Sequence, residues 1–221
     1  KKPHRSLLVT KHRFITKPVK MNILIDLNHP SHFHFFHSFM EKAEKDPSLE
    51  ILITTRDRKY IPELLNHYGF NYTIKAGRKL TLWGKALNLP RETWNLIRLA
   101  GKYKIEAFIS FASPYAAIAG FFLQKPVITF DDTEDDKPIQ FIYKRFSSLI
   151  VTPECFEKAY SRKQIRFTGT KETSYLAPDL FNPSKEIAGR YLNSPDQPYI
   201  IVRFVEHIAT HERNQESMST Q

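Results

Sequence analysis

The sequence predicts an α/β protein built on a doubly wound parallel sheet. Three observations carry this. Short apolar runs of strand length alternate with helix-length amphipathic stretches from Met21 to Phe167. The runs are rich in Ile, Leu, Val and Phe, as in strands covered on both faces. Polar clusters follow several runs at their carboxyl ends, where ligands sit in open parallel sheets.

Taken in order, Met21 to Leu27 is the first strand. Asn28-His29-Pro30-Ser31 ends it, because Pro30 has no N–H and disfavours helical backbone at His29. Ser31 is the expected helix N-cap, with Phe33, Phe36, Phe39, Met40 and Ala43 following at helical spacing. After a turn at 45–48, Leu49 to Thr54 is a second strand. Residues 58–68 form a helix stopped by Gly69. Phe70 to Ile74 is a third strand, and Lys75 to Lys79 a basic loop. Residues 80–104 predict two helical pieces around Pro90. A strand at 106–110, a helix at 115–123, a strand at 126–130 and a helix at 137–146 follow. Ser148 to Val151 is another strand, and Thr152-Pro153-Glu154 opens a short helix to Tyr160. Ile165 to Phe167 is the seventh strand, 174–183 a linker, and 186–192 a helix. Pro198 to Val202 is a further apolar strand, and 206–221 is polar and aperiodic.

The expected domains follow: a basic disordered extension at 1–20, a parallel α/β domain at 21–170, and a linker with a helix at 171–197. Residues 198–221 are expected to be the start of a truncated second domain and a polar tail. The chain has 221 residues and a net charge of +10. That charge suggests nucleic acid until it is located. Seven Lys or Arg and no acid fall in residues 1–20, leaving 26 basic against 23 acidic groups elsewhere. A nucleic-acid groove is therefore not expected. The same extension is too polar for a signal peptide, and a start at Met21 is plausible. The single cysteine, Cys155, fits a reducing compartment, so the chain is expected to be cytoplasmic.

Inside the domain, one segment is strongly basic. From 75 to 104 there are eight Lys or Arg against Glu92 alone, with Trp83 and Trp94 among them. This composition suits peripheral contact with an anionic membrane, and equally an apolar stripe facing the core with a solvated basic face.

Three polar clusters stand at strand ends: Asn28 to His32, Ser113-Pro114, and the acidic run from Asp131. Parallel strand ends share one rim, so these clusters can be neighbours. A histidine beside carboxylates is the usual arrangement for a base near neutral pH. His32 or His29 is the expected base, with Asp131 or Asp132 orienting it. His32 equally suits a structural role. Asp135 and Asp136 suit the cap and first turn of the helix at 137–146. No metal is expected, because His32 and His34 point apart on a helix and no second dense ligand cluster exists. No glycine-rich phosphate loop appears, and no cofactor is expected.

Several segments together resemble a known family: DLNHPSHFHFF at 26–36, FDDTE at 130–134, VTPE at 151–154, G-x-K-E at 169–172 with Tyr175-Leu176, and PYIIVRF at 198–204. They are similar to domain of unknown function 354. That family resembles the GT-B group of two-domain glycosyltransferases and the UDP-N-acetylglucosamine 2-epimerases. The resemblance implies the N-terminal, Rossmann-like half of a GT-B fold, which usually holds the acceptor, with the sugar nucleotide bound mainly by the other half. By motif, His29, His32 and His34 fall on first-loop histidines, Asp131, Asp132 and Glu134 on an acidic motif, and Lys171 and Glu172 on G-x-K-E. With Asn28, Ser31 and Ser113 these complete the expected site. The implied activity is glycosyl transfer from a sugar nucleotide to a cell-surface polysaccharide or glycolipid, inactive in this chain alone. The alternatives are a UDP-sugar 2-epimerase half and a non-catalytic binding domain or remnant.

Overall fold

The computed structural model describes residues 20–57, 60–75, 82–134, 136–192 and 197–202. The expectations for the basic extension before Lys20, the loop beyond Lys75, Asp135 and the polar end lie outside those residues. The elements run β1 Met21–Leu27, α1 Pro30–Lys45, β2 Leu49–Arg56, α2 Tyr60–His67, β3 Tyr72–Lys75, α3 Leu82–Lys102 and β4 Ala107–Phe111. Then come α4 Pro114–Phe122, β5 Val127–Phe130, α5 Lys137–Phe146, β6 Leu149–Pro153, β7 Gln164–Phe167, α6 Thr173–Leu176 and α7 Lys185–Gly189. All seven strands pair in parallel, in the order β3-β2-β1-β4-β5-β6-β7. The order reverses direction between β1 and β4, which is where open parallel sheets form a crevice.

Strand alternation sends side chains to two cores. Ile23, Ile25 and Leu27 pack with Phe33, Phe36 and Met40 of α1 and Ile61 and Leu65 of α2. Leu24 and Phe108 pack on the other face with Leu96 and Ala100 of α3, Ala116 and Ala117 of α4 and Tyr143 of α5. On this second face, register places Asp26 between Thr54 and Ser110, and Ser110 beside Thr129. All four are buried. A polar row thus crosses the sheet just below its carboxyl rim.

Four local expectations are corrected. α1 starts at Pro30 rather than after Ser31, and His29 is the cap: its Nδ1 accepts the Ser31 N–H at 3.2 Å. Proline at the first helical position loses no hydrogen bond, which makes the earlier start favourable. α3 is one helix through Pro90 rather than two pieces; Leu96 and Ala100 hold it against the sheet, so packing outweighs the local cost of proline. The expected helix at 154–160 does not form. The Glu154 N–H bonds the Phe167 carbonyl at 2.9 Å, the Tyr160 N–H bonds Gln164 Oε1 at 2.6 Å, and Phe156 and Tyr160 are buried, so long-range partners take the backbone groups a helix would use. Residues 198–202 form no strand, and Ile200 and Ile201 stand 89% and 81% exposed without a pairing partner among the described residues.

Candidate functional site

The carboxyl ends of β1, β4 and β5 meet at a cavity of about 290 Å³ lined by His29, Ser31, His32, Phe111, Ala112, Asp131, Asp132, Thr133, Asp136, Ile139, Gln140, Tyr143 and Lys171. The imidazoles after β1 and the aspartates after β5 therefore share one rim. The segment after β7 folds back over it. Lys171 reaches the Asp132 carboxylate at 2.7 Å, and α6 packs against α1, with Tyr175 5.5 Å from the His34 ring.

His32 is half-buried, stacked on Phe111 at 4.7 Å between ring centroids. Its Nδ1 accepts the Asn28 N–H at 3.4 Å. An accepting Nδ1 assigns the proton of the neutral ring to Nε2. Burial, then the neighbouring His29, hold the ring neutral and bring its pKa down to about 3. His32 is thus a fixed hydrogen-bond donor at neutral pH. His29 Nδ1 accepts twice from Ser31, from the hydroxyl at 2.8 Å and from the N–H at 3.2 Å.

Asp131 is only 3% exposed. The Thr133 N–H donates to its Oδ1 at 3.1 Å, and the Tyr143 hydroxyl donates to its Oδ2. Burial pushes the carboxyl up to about 6 despite those bonds, and neighbouring Asp132 adds to the rise. A buried carboxyl titrating near neutrality in a cleft is a common mark of acid–base chemistry. The hydrogen bonds of the two aspartates go to Tyr143, Thr133 and Lys171, and neither bonds His32. Neither aspartate therefore orients His32, which stands in the cavity wall as a donor beside a separate buried carboxyl.

The remaining expected residues divide. Ser31 lines the cavity. Asn28 and Ser113 do not; both bond Asp26 beneath it, at 3.0 and 2.5 Å. His34 lies against Tyr175, outside the cavity wall. Glu134 accepts the Glu157 N–H at 2.9 Å and steadies the loop after β6. Glu172 lies 3.8 Å from Lys171 without lining the cavity. Asp136 sits at the N-cap of α5 but makes no side-chain cap bond. Among the described residues, no group of three His, Cys, Asp or Glu could hold a metal ion.

Sequence reading missed Asp26 and Tyr143. Asp26 accepts bonds from Lys75, Thr54, Ser113 and Asn28. Burial alone would raise its pKa, but the Lys75 ammonium and these bonds hold it below the ordinary carboxylate value. Lys75, expected in a basic surface loop, is buried in this pair. The available signal was an acid within an Ile- and Leu-rich strand, since a buried charge requires a partner. Tyr143 gave none beyond its place on the apolar side of a helix. Ala112, between β4 and α4, adopts the left-handed region at φ 45°, and that turn brings Ser113 over Asp26.

Solved structures with a similar fold include UDP-GlcNAc 2-epimerase from Neisseria meningitidis bound to UDP-GlcNAc, at 12% identity over 71% of this chain and 48% of that one, TM-score 0.57. The S. aureus MnaA–UDP co-structure matches at 13% identity over 77% and 51%, TM-score 0.58. MurG from Acinetobacter baumannii matches at 11% identity over 68% and 46%, TM-score 0.52. The chain spans about half the length of these structures. No curated protein matches it in sequence. At these identities the likeness is one of fold, that of a Rossmann-like half of the GT-B architecture. The sequence profile of one family matches residues 21–209, well over half of the 221 residues, and the protein therefore belongs to the family described as "Protein of unknown function (DUF354)".

Proposed function

We propose that this chain is the acceptor-side half of a GT-B-like enzyme that transfers a sugar from a sugar nucleotide to a hydroxyl of a glycan or glycolipid. The observation that carries the reading is Asp131, a buried carboxyl with a pKa of about 6 at the rim cavity. Above that pH it is ionised and able to take the proton of an acceptor hydroxyl. The freed oxygen attacks the anomeric carbon, and the nucleoside diphosphate leaves with the bonding pair. His32 donates through Nε2–H to orient the acceptor, and Tyr143 holds the carboxylate in place. Lys171 offers positive charge at the cavity mouth, balanced by Asp132. Two fold neighbours hold UDP-GlcNAc and UDP, which supports a sugar-nucleotide partner.

The test is turnover in a family member that carries both halves, substituted at the positions matching Asp131 and His32. Loss of the carboxyl as Asp131→Asn is expected to cut the rate by ~10² or more. The unsubstituted enzyme is expected to gain activity with a single inflection near pH 6. Unchanged turnover removes Asp131 as the base.

The same carboxyl suits a UDP-sugar 2-epimerase, whose base removes a proton from carbon. Solvent deuterium entering the sugar with no acceptor present selects that reading. Ligand binding without turnover in the two-half protein selects a non-catalytic binding domain.

A further inference from the structure

We propose that the outer face of α3, α4 and α5 docks on an anionic membrane surface. The three helices lie side by side over one face of the sheet, joined by the second core. Their outward side chains include Trp94 at 62%, Phe122 at 68% and Phe141 at 74% exposure, with Phe121 also exposed beside Phe122. Each of three adjacent helices thus exposes a large aromatic, and on α4 two of them touch. The same helices and their ends expose cations: Arg91, Arg98 and Lys102 on α3, Lys125 just after α4, and Lys137 and Arg145 on α5. The only carboxylate in these helices, Glu92, is buried.

The opposite face shows the contrast. There the exposed Lys42 and Lys45 of α1 are interspersed with exposed Glu41 and Glu44, and α2 exposes Glu63. The single-sign charge therefore belongs to one side of the sheet. This face shares Arg91, Trp94, Arg98 and Lys102 with the segment that composition alone suggests, leaves out the buried Lys75, and extends onto two later helices.

Exposed aromatics and exposed Arg and Lys on the same helices match the layered chemistry of a bilayer surface, where rings enter the headgroup level and cations meet lipid phosphates. A nucleic acid would need the cations but not solvent-facing Phe on convex helices. A protein interface of this kind would place its charges at the rim against acids of the partner. α5 also connects this face to the cavity, since Gln140 and Tyr143 line the site while Phe141 faces outward. The docking proposal stands without the sugar-transfer reading. If both hold, a lipid-linked acceptor would be presented beside Asp131.

The test is co-sedimentation of the full chain with phosphatidylcholine vesicles, with and without phosphatidylglycerol, at low and high salt. Binding is expected only with the anionic lipid, weakening as salt rises. Two double variants, Phe122→Ser with Phe141→Ser and Arg91→Glu with Arg98→Glu, are each expected to lower the partition by ~10-fold or more. The control, Lys42→Glu with Lys45→Glu on the opposite face, is expected to bind as the unsubstituted chain does. Circular dichroism checks that every variant is folded. The proposal is overturned if the helix-face variants bind unchanged, which would assign binding to the basic residues 1–20. It is equally overturned if neutral vesicles bind as well as anionic ones. A third overturning result is duplex DNA displacing the vesicles and its own binding falling with the arginine reversals but not the phenylalanine ones.

Discussion

Asp131 is held in a form that suits chemistry better than stability. An unfolded aspartate loses its proton near pH 3.9, whereas folded Asp131 keeps it to about 6. The folded state therefore binds the extra proton between those values. This contribution to stability is fully present below about pH 4 and lost as pH rises through about 6. Asp131→Asn, which keeps an acceptor for Tyr143, is expected to raise stability at pH 8 by roughly 2–3 kcal/mol and to give no gain at pH 4. Thermal melts of both proteins at the two pH values check this. His32 has the opposite sign. Its folded pKa of about 3 lies below the ordinary 6.5, so its contribution is present above about pH 6.5 and drains away as pH falls. His32→Asn preserves an acceptor for the Asn28 N–H and should flatten the loss of stability between pH 6 and 4. Parallel curves would contradict the neutral, Nε2-protonated ring. Both residues were legible as site candidates from their places at strand ends. Their roles were not, because a tautomer is set by the Asn28 N–H and a pKa by burial.

Among the elements, α4 shows how closely this fold packs its small residues. A Cβ on Gly120 would stand 2.2 Å from Val127 Cγ2 and 3.1 Å from Phe108 Cδ2. Gly120→Ala must push α4 away from β4 and β5, at an expected cost of ~1–3 kcal/mol. Adding Val127→Ala should recover part of that loss, and denaturant midpoints of the single and double variants read it directly. A small-residue helix over 115–123 was visible in the sequence, but the need for glycine at one of its positions was not. That need arises from the distance between helix and sheet. α3 makes a similar point from the other side: Pro90 signals a break, yet the helix continues because Leu96 and Ala100 are already buried. The stretch 154–160 carries a helix signal in the sequence, and contacts with residues 164 and 167 overrode it.

At the scale of the molecule, Asp26 is the joint of the carboxyl rim. Its carboxylate gathers Thr54 from β2, Lys75 from β3 and Ser113 from the cap of α4, so one residue of β1 ties three strands and a helix. Asp26→Ala leaves the Lys75 ammonium buried without its partner and is expected to cost ~3–5 kcal/mol. Replacing Lys75 by Met in the same chain should return much of this, since the orphaned charge is then gone. A double variant as unstable as the single one would mean the hydrogen bonds to Ser113 and Thr54, not the ion pair, carry the effect. The strand–helix alternation and the polar strand ends can be read from the residues alone, because a strand buried on both faces requires an unbroken apolar run and a helix a periodic one. That the ends of β1, β4 and β5 adjoin emerges with the folded chain, because strand order is a property of the assembled sheet. Folding also decided that Asp26 and Lys75 are interior and that Asp131 titrates near neutrality, because burial depends on what the rest of the chain packs around each group.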